Sequence, residues 1–188
     1  MKILFAASEC VPFCKTGGLA DVVGALAPVL AKKGHDVRVM LPLYQAVPRE
    51  YVEKMRHVVD FEVELGWRRQ YCGIEALEMN GVTFYFVDNK YYFGRSYLYG
   101  LGGDEHERFG FFCRAVLNSL PLLQFQPQII HAHDWQTGMI PALLKIQYQH
   151  LPFFAPIRTV FTIHNLQYQG IFGIPEVQDV LGLGDDVF

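Results

Sequence analysis

The sequence predicts an α/β fold built on a doubly wound parallel sheet. Apolar runs rich in β-branched residues alternate with segments of helical spacing, which is typical of parallel strands covered by helices. The first elements form a strand, a helix and a strand, a right-handed unit that opens many nucleotide-binding folds. One hairpin, predicted at Asn80-Gly81, interrupts this order and indicates a β-hairpin insertion or a sheet edge.

The first elements are defined by their spacing and their ends. Residues 2–7 form a short apolar strand, and residues 19–30 place apolar side chains at intervals of three and four, as in a helix with one buried stripe. Two lysines and Gly34 suit the end of this helix, and Pro28 is expected to kink or split it. Residues 36–43 (DVRVMLPL) predict the second strand.

The hairpin is predicted because Asn-Gly is the dipeptide typical of a two-residue turn between antiparallel strands. After the hairpin, predicted strands and helices again alternate along the chain. Residues 91–103 are rich in Tyr and Gly, which predicts an ordered but mobile loop. The other predicted elements are strands at 58–67, 71–79, 82–87, 128–133 and 158–164 and helices at 104–123 and 137–147, with no strong strand in 165–188.

Composition excludes several classes of protein. The 188 residues are 51% hydrophobic and 19% charged, so the chain is not disordered and suffices for about one domain. The net charge of -3 offers no basic patch for nucleic acid, and no apolar run approaches the ~20 residues of a membrane helix. A signal peptide is not expected. The chain has four cysteines, Cys10, Cys14, Cys72 and Cys113. They are too scattered along the sequence for a disulfide framework and favour a cytoplasmic location.

A glycine loop follows the first strand, where an open parallel sheet binds its ligands. It consists of Lys15, Thr16, Gly17 and Gly18. Glycines allow a ligand to approach the backbone, the helix amino end attracts anions, and the lysine adds a positive charge. The loop therefore predicts phosphate binding. It matches neither common phosphate-loop motif, so a flexible turn with a solvated lysine is the alternative.

Polar side chains end two further strands. His131, His133 and Asp134 could form a metal site or a polar rim, and Asp134 could cap the next helix. A metal is not expected, because position 135 is Trp where the motif of binuclear hydrolases needs Asp. His164 and Asn165 end the other strand. Together with the glycine loop, these strand ends indicate group transfer from an activated sugar.

Three segments carry a family resemblance: MKILFAASECVPFCKTGGLADVVGALAPVLAKKGHDVRVMLPLY, IIHAHDWQTG and TVFTIHNLQYQG. They resemble bacterial glycogen synthases and plant starch synthases, in register from residue 1 to about 170. The resemblance implies a hexosyltransferase of glycogen biosynthesis that moves glucose, with retention, from ADP-glucose to the 4-hydroxyl at the non-reducing end of an α-1,4-glucan. No cofactor or metal is implied.

The same resemblance implies an architecture. Residues 1–188 would be the N-terminal, acceptor-side Rossmann-like domain of a GT-B glycosyltransferase, and a C-terminal nucleotide-binding domain would lie outside this sequence. Because that domain would supply further donor contacts, the 188 residues are expected to be inactive alone.

The resemblance also implies roles for individual residues. The catalytic set is Lys15, Asp134 and His164, and His164 would position the donor glucose and support the cationic carbon through its main-chain carbonyl. The substrate-binding set is Lys15, Gly17, Gly18, Tyr99, His133, Asp134, His164 and Asn165, with Tyr97 as an alternative to Tyr99.

Several alternatives stay open at this point. UDP-glucose could replace ADP-glucose as the donor. A non-catalytic module could bind glucan on its aromatic side chains. A metal-dependent hydrolase could use His131, His133 and Asp134. The oligomeric state cannot be predicted.

Overall fold

The computed structural model describes residues 1–100 and 102–187, so Phe188, the end of the predicted domain, and Leu101, in the predicted loop, lie outside the described residues. Within the described part, seven strands form one sheet: β1 (Lys2–Ala6), β2 (Asp36–Pro42), β3 (Arg56–Leu65), β4 (Arg68–Met79), β5 (Val82–Asp88), β6 (Ile129–His133) and β7 (Arg158–Thr162). Their order across the sheet is β3-β4-β5-β2-β1-β6-β7.

Five consecutive strands, from β5 to the β7 edge, are parallel, which confirms the predicted doubly wound sheet. β1 pairs with β2 on one side and with β6 on the other, β5 extends the first side, and β7 extends the second. The strand order therefore reverses between β1 and β6, and ligands of such sheets bind at this switch point, beyond the carboxyl ends of the strands. β3 and β4 add an antiparallel edge next to β5.

Helical elements lie in every connection except those between β3 and β4 and between β4 and β5, and a further α-helix follows β7. The helical elements are α1 (Gly18–Lys32), α2 (Arg49–Val52), α3 (Lys90–Phe93), α4 (Glu105–Leu122), α5 (Met139–Leu143) and α6 (Ile174–Leu181). None of the helices in the described ranges has the length and apolar character needed to cross a bilayer.

Two predicted helices differ from the structure. α1 does not split at Pro28, because proline removes one N–H donor while the buried stripe of Leu19, Val23 and Ala27 still holds the helix against the core. The helix predicted at 137–147 is instead a 3-10 turn at Trp135–Thr137, then α5, then a π-helical segment at Leu144–Tyr148.

The core forms one continuous hydrophobic cluster. A buried arginine, Arg108, holds the loop before α4. Arg108 is fully buried, its Nη1 pairs with Glu105, and its Nε donates to the Tyr92 carbonyl at 2.8 Å. Its Nη2 donates to the Leu98 carbonyl at 2.9 Å, so the residue before Tyr99 is held from within the core. The predicted mobile loop thus begins with α3 and is anchored by a buried charge.

Candidate active site

The glycine loop lies between β1 and the start of α1, at the switch point. The Lys15 ammonium is half exposed and donates to both carboxylate oxygens of Asp21, at 2.8 and 2.7 Å. Gly18 is the first residue of α1, and a Cβ added there would meet no atom within 4 Å. Lys15 and the helix amino end therefore both face open space that a ligand can occupy.

Glu9 changes the expected chemistry of this loop. Its side chain is buried, with 1% of its surface exposed. Oε2 accepts from the Thr16 N–H and from Thr16 Oγ1 at 2.8 Å, and Oε1 accepts from the Gly17 N–H at 3.2 Å. The Gly17 N–H, which the sequence predicted would face a phosphate, is thus occupied by an internal carboxylate. Glu9 was missed because a single carboxylate after a strand has no periodic signal.

Tyr99 also contacts this loop. Its hydroxyl shares a hydrogen bond with Thr16 Oγ1, and its ring packs edge-on against Phe109 at a centroid distance of 6.2 Å. Tyr97, the alternative, instead accepts from Arg95 at 3.1 Å. Of the two tyrosines, Tyr99 is therefore the one beside the glycine loop.

Three histidine rings form a row across the ends of β6 and β7. The rings of His131 and His133 stack at 4.0 Å between centroids, and those of His133 and His164 stack at 5.2 Å. His133 Nδ1 lies 2.9 Å from His164 Nε2, and His131 Nε2 lies 2.7 Å from Thr162 Oγ1. The predicted shared face of His131 and His133 is confirmed, and on that face both side chains contact residues at the end of β7.

His133 is the most enclosed of these rings. It is fully buried and also stacks on Phe5 of β1, at 5.4 Å. Burial, with the nearby rings of His131 and His164, lowers the pKa of His133 from 6.5 to about 3, so the ring is neutral at neutral pH. The family resemblance implies that His133 contacts substrate; in the structure the ring exposes no surface in the free chain, and its Nδ1 faces His164.

Asp134 holds the start of the His164 backbone. Its Oδ1 accepts from the His164 N–H at 2.6 Å, and its own N–H donates to the Thr162 carbonyl at 2.9 Å. Its backbone has φ 57° and ψ 179°, a conformation that residues other than glycine rarely adopt. The prediction that Asp134 caps the next helix is wrong, because its carboxylate makes no cap hydrogen bond and is used across the sheet instead.

Asn165 follows His164 in the chain and is exposed, and its Oδ1 accepts from the Gln167 N–H at 2.9 Å.

Within residues 1–100 and 102–187, no group of three or more His, Cys, Asp or Glu side chains is placed to hold a metal ion. The nitrogens His131 Nε2 and His133 Nδ1 are hydrogen-bonded within the protein. The four cysteines are free and buried, and burial raises the pKa of each thiol.

A cavity of about 580 Å³ opens beside Asp134 and Asn165, between α4, α6 and the segment after β7. Trp135 packs in its wall, edge-on to Phe109 at 5.2 Å and tilted to Phe172 at 5.5 Å. Gly170 lies so close that a Cβ there would be 2.3 Å from the Trp135 ring. The aromatic residues that line the cavity are Phe109, Trp135, Phe161, Tyr168 and Phe172. Together with the polar side chains of Asp134 and Asn165, they form a lining that suits a ligand with apolar ring faces and hydroxyl edges.

Sequence comparison assigns nearly the whole chain to one protein family. Residues 2–188 match the model of the starch synthase catalytic domain. Similar proteins include the glycogen synthases of Anoxybacillus flavithermus, 58% identical, and Bacillus subtilis, 51% identical, each over 188 residues. In both, the match covers 100% of this chain and 39% of the relative. The chain therefore spans about two fifths of the length of these relatives.

Structural comparison agrees with the sequence. The catalytic domain of starch synthase IV from Arabidopsis thaliana, solved with ADP and acarbose, matches with a TM-score of 0.88 and 32% identity, over 97% of this chain and 37% of that one. Sucrose-phosphate synthase from Thermosynechococcus elongatus matches with a TM-score of 0.51 and 14% identity, over 88% of this chain and 33% of that one, a likeness of fold alone.

Proposed function

The chain belongs to the starch synthase catalytic-domain family, and from this premise we propose that it forms the N-terminal, acceptor-side domain of a cytoplasmic glycogen synthase. The proposed reaction is the retaining transfer of glucose from ADP-glucose to the 4-hydroxyl at the non-reducing end of an α-1,4-glucan. A C-terminal nucleotide-binding domain would complete the GT-B enzyme. The relatives, of which this chain spans 39%, and the ADP and acarbose bound to the Arabidopsis enzyme support the proposal.

The observation that carries the proposal is the convergence of three strand ends at the switch point. The glycine loop follows β1, Asp134 follows β6 and His164 follows β7, and Asp134 joins the last two by its 2.6 Å hydrogen bond. Cleavage of ADP-glucose places negative charge on the diphosphate and positive charge on the anomeric carbon. A site for this reaction therefore needs a cation and a rigid backbone dipole on opposite sides of the bond.

Lys15 and the amino end of α1 supply the positive side. In the free chain Asp21 neutralises Lys15, so a diphosphate would compete with that carboxylate for the ammonium. Because Glu9 holds the Thr16 and Gly17 N–H groups, the N–H of Gly18 and the helix dipole are the proposed phosphate contacts. Asp134 fixes the backbone on which His164 supports the sugar, and Tyr99 and Asn165 border the donor.

The aromatic cavity beside Asp134 is the proposed acceptor site. Glucose units present apolar faces that stack on aromatic rings, and their hydroxyls pair with polar side chains at the edge. Trp135 and Asn165 offer these two kinds of contact in the same cavity.

The proposal is tested by measuring transfer of labelled glucose from ADP-glucose to glycogen with the full-length protein. We expect Lys15→Gln to lower kcat/KM, because it removes the positive charge near the diphosphate, and His164→Ala to lower kcat more than it weakens donor binding. Lys33→Gln is the matched control, since Lys33 is an exposed lysine at the opposite end of α1. Absence of transfer by the unmodified protein, or equal losses in the Lys15 and Lys33 variants, would refute the proposal.

A further inference from the structure

The histidine row contains one nitrogen that the function proposed above does not explain. His133 Nε2 is buried and has no hydrogen-bond partner among the described residues, while His133 Nδ1 faces His164 Nε2 at 2.9 Å. A neutral imidazole carries its proton on one nitrogen only. The proton is therefore either on the nitrogen that faces His164 or on the nitrogen that faces nothing.

The two placements differ in what they leave unpaired. If the proton is on Nε2, a buried N–H has no acceptor, and such orphaned donors are rare in folded proteins. If it is on Nδ1, the N–H donates to His164 and only a lone pair is left unpaired, which proteins tolerate more readily. The His133 ring is stacked between Phe5 and His131, so tilting it out of its plane toward another partner would break both stacks.

We propose that His133 is a positioning residue that donates from Nδ1–H to His164 Nε2 and so fixes His164 as its Nδ1–H tautomer. His164 Nε2 is then an acceptor, and the proton of the neutral His164 ring is at Nδ1. The low pKa of His133 agrees, because a ring that stays neutral keeps a single proton at acidic as well as neutral pH.

The fixed tautomer gives the His164 side chain a defined chemical role. His164 is only partly buried, and its Nδ1–H can donate to an oxygen of a bound ligand. In the donor site, and resting on the proposed function, that oxygen is a hydroxyl of the transferred glucose. Asp134 holds the backbone of the same residue, so His164 is fixed both at its main chain and at its ring.

The tautomer can be measured directly, without substrate. Selective ¹⁵N labelling of histidine in the full-length protein, followed by long-range ¹H–¹⁵N correlation, separates protonated ring nitrogens from nitrogens that carry a lone pair. We expect a protonated Nδ1 and an unprotonated Nε2 in both His133 and His164 at neutral pH. A protonated Nε2 in His164 would overturn the proposal.

Two substitutions separate the hydrogen bond from packing. His133→Phe keeps a ring between Phe5 and His131 but has no N–H, whereas His133→Asn loses the ring and places an amide N–H near the position of Nδ1. We expect His164 to become a mixture of tautomers in His133→Phe and to stay Nδ1-protonated in His133→Asn. The matched control is Thr162→Val, which removes the hydroxyl paired with His131 and leaves His164 untouched.

The kinetics of the same variants measure how loss of the His133 hydrogen bond affects transfer of glucose from the donor. For His133→Phe we expect kcat to fall roughly 3- to 10-fold, as for the loss of one hydrogen bond, with partial rescue in His133→Asn. Activity kept by the Phe variant and lost by the Asn variant would show that His133 acts by packing, and would overturn the proposal. If the His164 tautomer is as expected but no glucose transfer occurs, the proposed function fails and the hydrogen-bond assignment stands.

Discussion

Asp134 offers a test of whether its carboxylate is held in place by a strained backbone. At φ 57° and ψ 179° the residue lies in a region used almost only by glycine, at a cost of about 1–3 kcal/mol for other residues. Asp134→Ala and Asp134→Gly both remove the hydrogen bond to the His164 N–H. In the folded state they differ in strain, because alanine keeps the strained backbone and glycine relieves it.

The expected difference follows from opposing contributions. Glycine gains the strain energy but loses about 0.4–1 kcal/mol through the greater freedom of its unfolded chain. The Gly variant should therefore be about 1–2 kcal/mol more stable than the Ala variant. The lost carboxylate hydrogen bond is worth about 1.5–3 kcal/mol, so the Ala variant should be less stable than the wild type by that amount. The Gly variant should be less stable than the wild type by only about 1 kcal/mol.

Urea unfolding of the three proteins, followed by circular dichroism, measures these differences. The matched control is Lys33, whose φ of -82° and ψ of 5° are ordinary and whose side chain is exposed. There the order should reverse, with Lys33→Ala more stable than Lys33→Gly. If Asp134→Ala is as stable as Asp134→Gly, the strain argument is wrong. Both Asp134 variants should lose the proposed glucose transfer, because neither has the carboxylate that holds the His164 backbone.

Three further perturbations probe buried charge. Glu9→Gln should lower the free energy of unfolding by about 2 kcal/mol, because one of the two accepting oxygens becomes an NH2 group that faces the N–H of Thr16 or of Gly17; urea midpoints equal to wild type would contradict this. Arg108→Met should cost about 3–5 kcal/mol in calorimetry, because it leaves Glu105 buried without its partner, and a small loss would show that Glu105 is hydrated. Lowering the pH from 7 to 5 should cost about 2 kcal/mol through His133, because its pKa is about 3 when folded and 6.5 when unfolded, so only the unfolded chain takes up the proton. This loss continues toward pH 3, and an unfolding profile equally steep in His133→Phe would contradict it.

The elements with strong periodicity were predictable from the sequence. The turn at Asn80-Gly81 has φ values of 55° and 76°, as the hairpin prediction requires. α6 was missed, although Pro175 near its start and Gly182 in the left-handed conformation after its end mark it. Its helical stripe is only eight residues long, which is too short to stand out from a loop.

The positions of the candidate site residues at the strand ends were predictable from the sequence, but their contacts were not. Motifs identified Lys15, Asp134 and His164, and strand geometry put His131 and His133 on one face. Whether that face is covered depends on partners from other strands that no local pattern reveals. The full burial of the His133 ring and the hydrogen bond from the His164 backbone to the Asp134 carboxylate arise only when the strands assemble into the sheet.

The internal carboxylate of Glu9 also affects the rate and the entropy cost of binding the proposed ADP-glucose donor. A loop whose N–H groups are already paired keeps one shape in the absence of ligand. Ordering a backbone costs roughly 1–2 kcal/mol of entropy per residue, and this loop carries that cost in folding and not in binding. Binding of the proposed donor should therefore resemble docking to a rigid surface, limited by encounter and by the exchange of Asp21 for phosphate at Lys15, with no slow loop-closing phase.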